Sequence, residues 1–111
     1  MDDFLHKSWL FDIYGNLLKE NQKKVYEYHI LDDLSFNEIG EELGLTRQDC
    51  HDLFNRADKK LMELESKLNL KNKFLSIEEY AQKINKLSTD KEIKSLSNKI
   101  IKLIKTEENN G

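Results

Sequence analysis

The chain has 111 residues and a formal net charge of −3, with 38% hydrophobic residues, no proline, and glycine only at positions 15, 40, 44 and 111. That length holds one domain, or a small domain with an appendage, and the scarcity of helix breakers without any alternating segment predicts an all-α fold. One cysteine excludes an internal disulfide, no apolar run approaches the ~20 residues of a membrane span, and the acidic start MDDFLHKSW lacks a signal-peptide layout, so the expected location is cytoplasmic.

Residues 3–18 predict a first helix. Phe4, Leu5, Trp9, Phe11, Ile13, Tyr14, Leu17 and Leu18 are too many for one narrow stripe, so this helix is expected to bury two faces, one of them against a second subunit. Residues 20–31 predict a second helix, with Val25, Tyr28 and Leu31 inward. Asp32-Asp33-Leu34 then connects to Ser35. Two adjacent carboxylates in a turn are ordinarily solvated, and His6, His29 and His51 lack metal-ligand spacing, so no metal and no cofactor is expected.

The stretch SFNEIGEELGLTRQDCHDL, residues 35–53, carries the sharpest signal. Ser35 is placed to N-cap a helix, with Glu38 three residues on to close a capping box. Phe36, Ile39 and Leu43 form an apolar face, and Gly44 supplies the left-handed residue past the helix end. Thr46 caps the next helix with Asp49 as its partner. Gly40 is expected where the two helices approach most closely. In this order and spacing the devices predict a helix-turn-helix.

The helix that starts at Arg47 is expected to run on to Asn69. Cys50, Phe54, Ala57, Leu61, Leu64 and Leu68 alternate steps of four and three, a heptad seam that asks for a partner. A homodimer through the first helix and the 57–68 extension is therefore expected. Asn69 to Phe74 reads as a linker. Ser76 with Glu79 is expected to cap a short helix carrying Ile77, Tyr80, Ala81, Ile84 and Leu87. Thr89 with Glu92 is expected to cap a last one, whose Ile93, Leu96, Ile100 and Leu103 stripe packs on protein and leaves Lys91, Lys94, Lys99, Lys102 and Lys105 outward as a candidate contact for RNA or an anionic surface. The closing TEENNG is expected to fray.

Charge divides the chain at the same place. Residues 1–70 carry nine basic and fifteen acidic side chains, and residues 71–111 carry nine and six. The expected organisation is a helix-turn-helix domain over 1–70 and a basic C-terminal helical extension over 71–111. With Cys50, Leu53, Phe54 and Ala57 inward, a step of 100° per residue puts Gln48, His51, Asp52, Asn55 and Lys59 outward. Thr46, Arg47, Gln48, His51, Asn55, Arg56 and Lys59 are the candidate nucleic-acid contacts. Asn and Gln suit adenine and Arg suits guanine. Asp52 opposes them by repelling phosphate. Cys50 and His51 point to different sides of their helix and make no nucleophilic dyad, and no other catalytic constellation is present, so enzyme activity is not expected.

Tyr14-Gly15-x-Leu17-Leu18, Gln22, Asp32-Asp33-Leu34-Ser35, the run from Glu38 to Gln48 and Lys67-Leu68-x-Leu70 together resemble the YlxM family of small bacterial helix-turn-helix proteins. The likeness covers residues 8–70. The family usually has Thr where this chain has Lys19, Ala where it has Gly40, and Ala-Val where it has Asp49-Cys50. The resemblance implies a fold like region 4 of bacterial sigma factors, to which the seam from Cys50 to Leu68 adds a long fourth helix. It also implies a role in the signal recognition particle (SRP) pathway. Two functions stand as expectations: an accessory factor binding the SRP protein component or SRP RNA, and a regulator binding specific DNA. The acidic first half favours the former and the intact turn the latter.

Overall fold

A computed structural model describes residues 2–105, and among these every regular element is helical. Helix α1 spans Asp2–Tyr14, α2 Glu20–Ile30, α3 Phe36–Leu43, α4 Arg47–Leu68, α5 Leu70–Leu87 and α6 Lys91–Ile104. The chain divides into two compact units between Leu68 and Asn69.

The first unit is built on a column of rings. Phe11 of α1 stacks on Tyr26 of α2 at 5.6 Å, and Tyr26 stacks on Phe54 of α4 at 4.9 Å. Phe54 meets the edge of His29, which stacks on Phe36 of α3 at 4.3 Å. All four helices thus contribute to one aromatic core, with Leu10, Tyr14, Val25, Ile39, Cys50, Ala57 and Leu61 buried around it. The polar edges of this core are satisfied. Tyr26 donates to Asp58 at 3.1 Å, Tyr14 donates to Glu65 at 2.8 Å, and Lys7 pairs with Asp58 at 3.4 Å.

Several expectations change here. The first helix ends at Tyr14 rather than 18, and a single 3-10 turn, Gly15–Leu17, follows. A Cβ at Gly15 would lie 3.1 Å from the Phe11 ring, so glycine lets the chain turn against that side chain. In α2 the inward residues are Val25, Tyr26 and Ile30, whereas Leu31 is exposed and Tyr28 only half-buried. The α4 seam needs no second subunit over most of its length. Cys50, Phe54, Ala57 and Leu61 are buried within the unit, beneath α1, α2 and α3, and only Leu68 at its end is exposed.

The turn of the helix pair is as expected. Ser35 and Glu38 close a full capping box, and Gly44 is left-handed at φ 71°. Asp49 N–H donates to the Thr46 hydroxyl at 3.0 Å, and Thr46 N–H donates back to the Asp49 carboxylate at 3.4 Å. Gly40 serves a different neighbour from the one expected. Its missing Cβ would fall 2.5 Å from the Leu45 carbonyl oxygen, so the space is taken by the turn's own backbone rather than by the second helix.

The second unit is a helical hairpin. Asn69 does stop α4, in the left-handed conformation at φ 55°, but α5 begins at the very next residue. The expected linker over 69–74 is therefore one residue long, and Ser76 is an exposed residue inside α5 rather than a cap. The cap of α6 is Asp90, not Thr89: its carboxylate accepts from the N–H groups of Glu92 and Ile93. The hairpin's interior is small and polar. Asn85 donates to Ser97 at 2.8 Å, Ser97 and Ala81 are buried, and Lys94 donates to the Asn85 carbonyl at 2.7 Å. The TEENNG end lies outside the described residues.

Candidate nucleic-acid interface

Helix α4 presents the face predicted for recognition. Thr46, Arg47, Gln48, His51, Asn55, Arg56 and Lys59 are all exposed. Several of these side chains are held by one another. Gln48 donates to Asp52 at 3.0 Å, and Asn55 lies 3.4 Å from His51 Nδ1. His51 also presents its ring to the edge of Phe36 at 5.5 Å. Asp49 is occupied in the Thr46 cap at the positive end of the helix, which reduces its weight against an approaching phosphate. Asp52 stays on the face, with Gln48 as its partner.

The positive charge of the first unit gathers further along α4. Arg56, Lys59 and Lys60 line a shallow cleft of about 430 Å³ with Lys19, Gln22, Leu17 and Glu63. Lys19 immediately precedes α2, whose first turn has no side-chain cap on Lys19's side. Three cations of α4 and one from the α1–α2 connection are thus brought together in a unit that is acidic overall. Arg56 and Lys59 were expected contacts from the sequence, and Lys19 and Lys60 join them only in the fold. Lys19 is 37 positions from Arg56, and only the packing of α2 on α4 makes them neighbours.

In the hairpin the lysines divide. Lys91, Lys99 and Lys102 are exposed, and with Lys94, Ser95 and Asn98 they border an open groove of about 420 Å³ along α6. Lys94 and Lys105 turn toward α5, where Lys94 holds the Asn85 carbonyl and Lys105 lies 3.9 Å from Glu78. The expected five-lysine face therefore presents three freely exposed cations. Along the apolar stripe of α6, Ile93, Leu96, Ile100 and Leu103 are exposed.

Cys50 is buried, and burial pushes its thiol pKa up, with the neighbouring Asp49 charge adding to the effect. That is the reverse of an activated nucleophile. Among the described residues no group of three or more His, Cys, Asp or Glu is placed to hold a metal ion, and no helix is long and apolar enough to cross a membrane.

A short helix joined through a left-handed glycine to a long, capped second helix that exposes its polar face defines an all-helical helix-turn-helix protein. Comparison with known proteins agrees. The chain belongs to the UPF0122 family, described as "Putative helix-turn-helix protein, YlxM / p13 like", which matches residues 1–105. The match thus takes in the C-terminal hairpin, well beyond residues 8–70. The UPF0122 protein of Clostridium botulinum is 43% identical over 99 residues, covering 89% of each chain. That of Halalkalibacterium halodurans is 37% identical over 100 residues, covering 86% of this chain and 92% of the relative. No solved structure matches at a significant level.

Proposed function

We propose that this protein is a non-enzymatic accessory factor of the signal recognition particle pathway that binds SRP RNA through backbone contacts. The observation that carries the reading is the distribution of cations. Arg47 opens the recognition face, Arg56 and Lys59 stand at its far end where Lys19 and Lys60 join them in one cleft, and the hairpin separately carries Lys91, Lys99 and Lys102. Phosphate contacts position a protein without reading bases, and structured RNA is recognised largely by shape and backbone. The base-reading side chains of α4, by contrast, are partly engaged with each other, and Asp52 stands among them. The pathway assignment rests on the YlxM resemblance, and the fold proposed for the first unit is that of region 4 of bacterial sigma factors.

The second reading, a DNA-binding regulator, is favoured by the intact turn and by Arg47 and Gln48 at the exposed start of α4, where a recognition helix first meets base edges. One titration separates the two. Full-length protein is titrated with SRP RNA, an unrelated structured RNA and duplex DNA across a salt series. The proposal expects the tightest binding to SRP RNA, weakening steeply with salt. Equal affinity for all three would remove the pathway assignment. Tighter binding to a particular duplex would establish the regulator.

A further inference from the structure

The hairpin exposes apolar residues in a pattern that its own two helices leave unused. On α5 they are Ile77, Tyr80, Ile84 and Leu87, and on α6 Ile93, Leu96, Ile100 and Leu103. Both sets step three, four, three, the spacing that keeps side chains on one seam of a helix packed against others nearly parallel to it. The two seams lie on one side of the hairpin. Asn85 meets Ser97 and Glu78 meets Lys105, so the helices run antiparallel, with Leu87 nearly level with Leu96 and Tyr80 with Leu103. At 100° per residue each seam stands about a quarter turn from the line joining the helices, and for antiparallel neighbours the two displacements fall on the same face.

Among the described residues of the hairpin only Ala81 and Ser97 are fully buried, a small interior for two packed helices. The exposed seams are 38–84% accessible and offer on the order of 800 Å² of apolar surface. That exceeds the largest patch on a typical monomer and equals about one side of a standard interface.

We propose that this face is covered by the same face of a second copy of the chain, two hairpins closing into a four-helix bundle. A second copy supplies two seams of matching length and spacing, which is what a bundle core requires. The charges agree. Lys91, Lys94, Lys102 and Lys105 fall on α6 well away from its seam and Lys99 borders it, so two copies can join with one α6 lysine each at the solvated rim of the contact. A lipid surface fits less well, because the lysines far from the seam would point away from the anionic headgroups. This inference concerns the hairpin's apolar side and does not depend on the nucleic-acid reading.

Sedimentation of the full-length chain over a concentration series tests it. The wild-type chain is expected to sediment as a dimer at micromolar concentration, and the Leu87→Glu/Leu103→Glu double variant at half that mass. At 84% and 74% exposure these two positions are the ones a single folded chain best tolerates changing, and circular dichroism should show unchanged helix content. Leu87→Met/Leu103→Met should stay dimeric. A wild-type chain that is monomeric throughout overturns the proposal. So does a dimer that survives both glutamates, which would place the interface elsewhere. Binding of a monomeric chain to phosphatidylglycerol vesicles, lost in the glutamate variant, would replace the second copy with a membrane.

Discussion

Tyr26 is the residue on which the first unit is centred, and its environment makes it a pH-dependent one. Burial raises its phenol pKa far above the ordinary value, and the Asp58 charge and hydrogen bond add to the effect, with Asp3 contributing further. A raised folded-state pKa means that the stabilisation is fully present below the unfolded value of about 10 and is lost as pH rises above it. Urea denaturation should therefore show stability falling above about pH 10. Tyr26→Phe should flatten that limb and cost about 1 kcal/mol at neutral pH through the lost Asp58 bond. Glu38 has the opposite sign. The Ser35 backbone N–H, and then the Ser35 side chain, hold its carboxyl below the usual range. The capping box is thus intact at neutral pH and is lost as pH falls through that lowered value. Ser35→Ala should cost about 1 kcal/mol at neutral pH. Both caps of the turn were legible in the residue order because a cap is a contact three residues long. Tyr26 was not. Val25 leaves the phase of α2 open, and the rings of Phe11 and Phe54, from distant parts of the chain, decide that Tyr26 and Ile30 face inward while Leu31 does not.

Among the elements, α4 shows how far a periodic pattern can be trusted. Its heptad seam was read correctly as buried over Cys50, Phe54, Ala57 and Leu61, with a second subunit expected only along its 57–68 extension. The partners are α1, α2 and α3 of the same chain, because α1 is cut short at Gly15 and returns the chain across α4. Leu61→Ala should accordingly cost about 2–5 kcal/mol in thermal or urea unfolding. It should do so through the core of one chain, independent of protein concentration. Gly44→Ala tests the turn. A side chain at φ 71° costs roughly 1–2 kcal/mol, and open space around the position leaves strain as its main penalty. The hairpin was less legible. Ser76 with Glu79 and Thr89 with Glu92 both have cap spacing. The first is absorbed because α5 is already a helix from Leu70. The second yields to Asp90, whose carboxylate takes two N–H groups at the positive end of α6.

For the whole molecule the governing fact is that charge sign and helical unit coincide. The half carrying the helix-turn-helix is acidic and the hairpin half is basic, so the two candidate surfaces should respond oppositely to substitution. If phosphate lies along α4, Asp52→Asn removes a repulsion and should tighten binding to every nucleic acid, with Gln48 still able to hydrogen-bond the new side chain. If phosphate lies along α6, Asp52→Asn should do nothing. Replacing Lys99 and Lys102 by Gln should then lower the slope of log affinity against log salt by roughly 1.5, one step of about 0.7–0.9 for each phosphate no longer neutralised. Both lysines are exposed, so the fold should not feel the change. Measuring both variants on SRP RNA over one salt series assigns the backbone contact to one helix. A response to both places the RNA on both surfaces. A response to neither, with wild-type binding intact, rules out the Asp52 face and the Lys99–Lys102 groove and leaves the Lys19–Arg56–Lys59–Lys60 cleft as the contact.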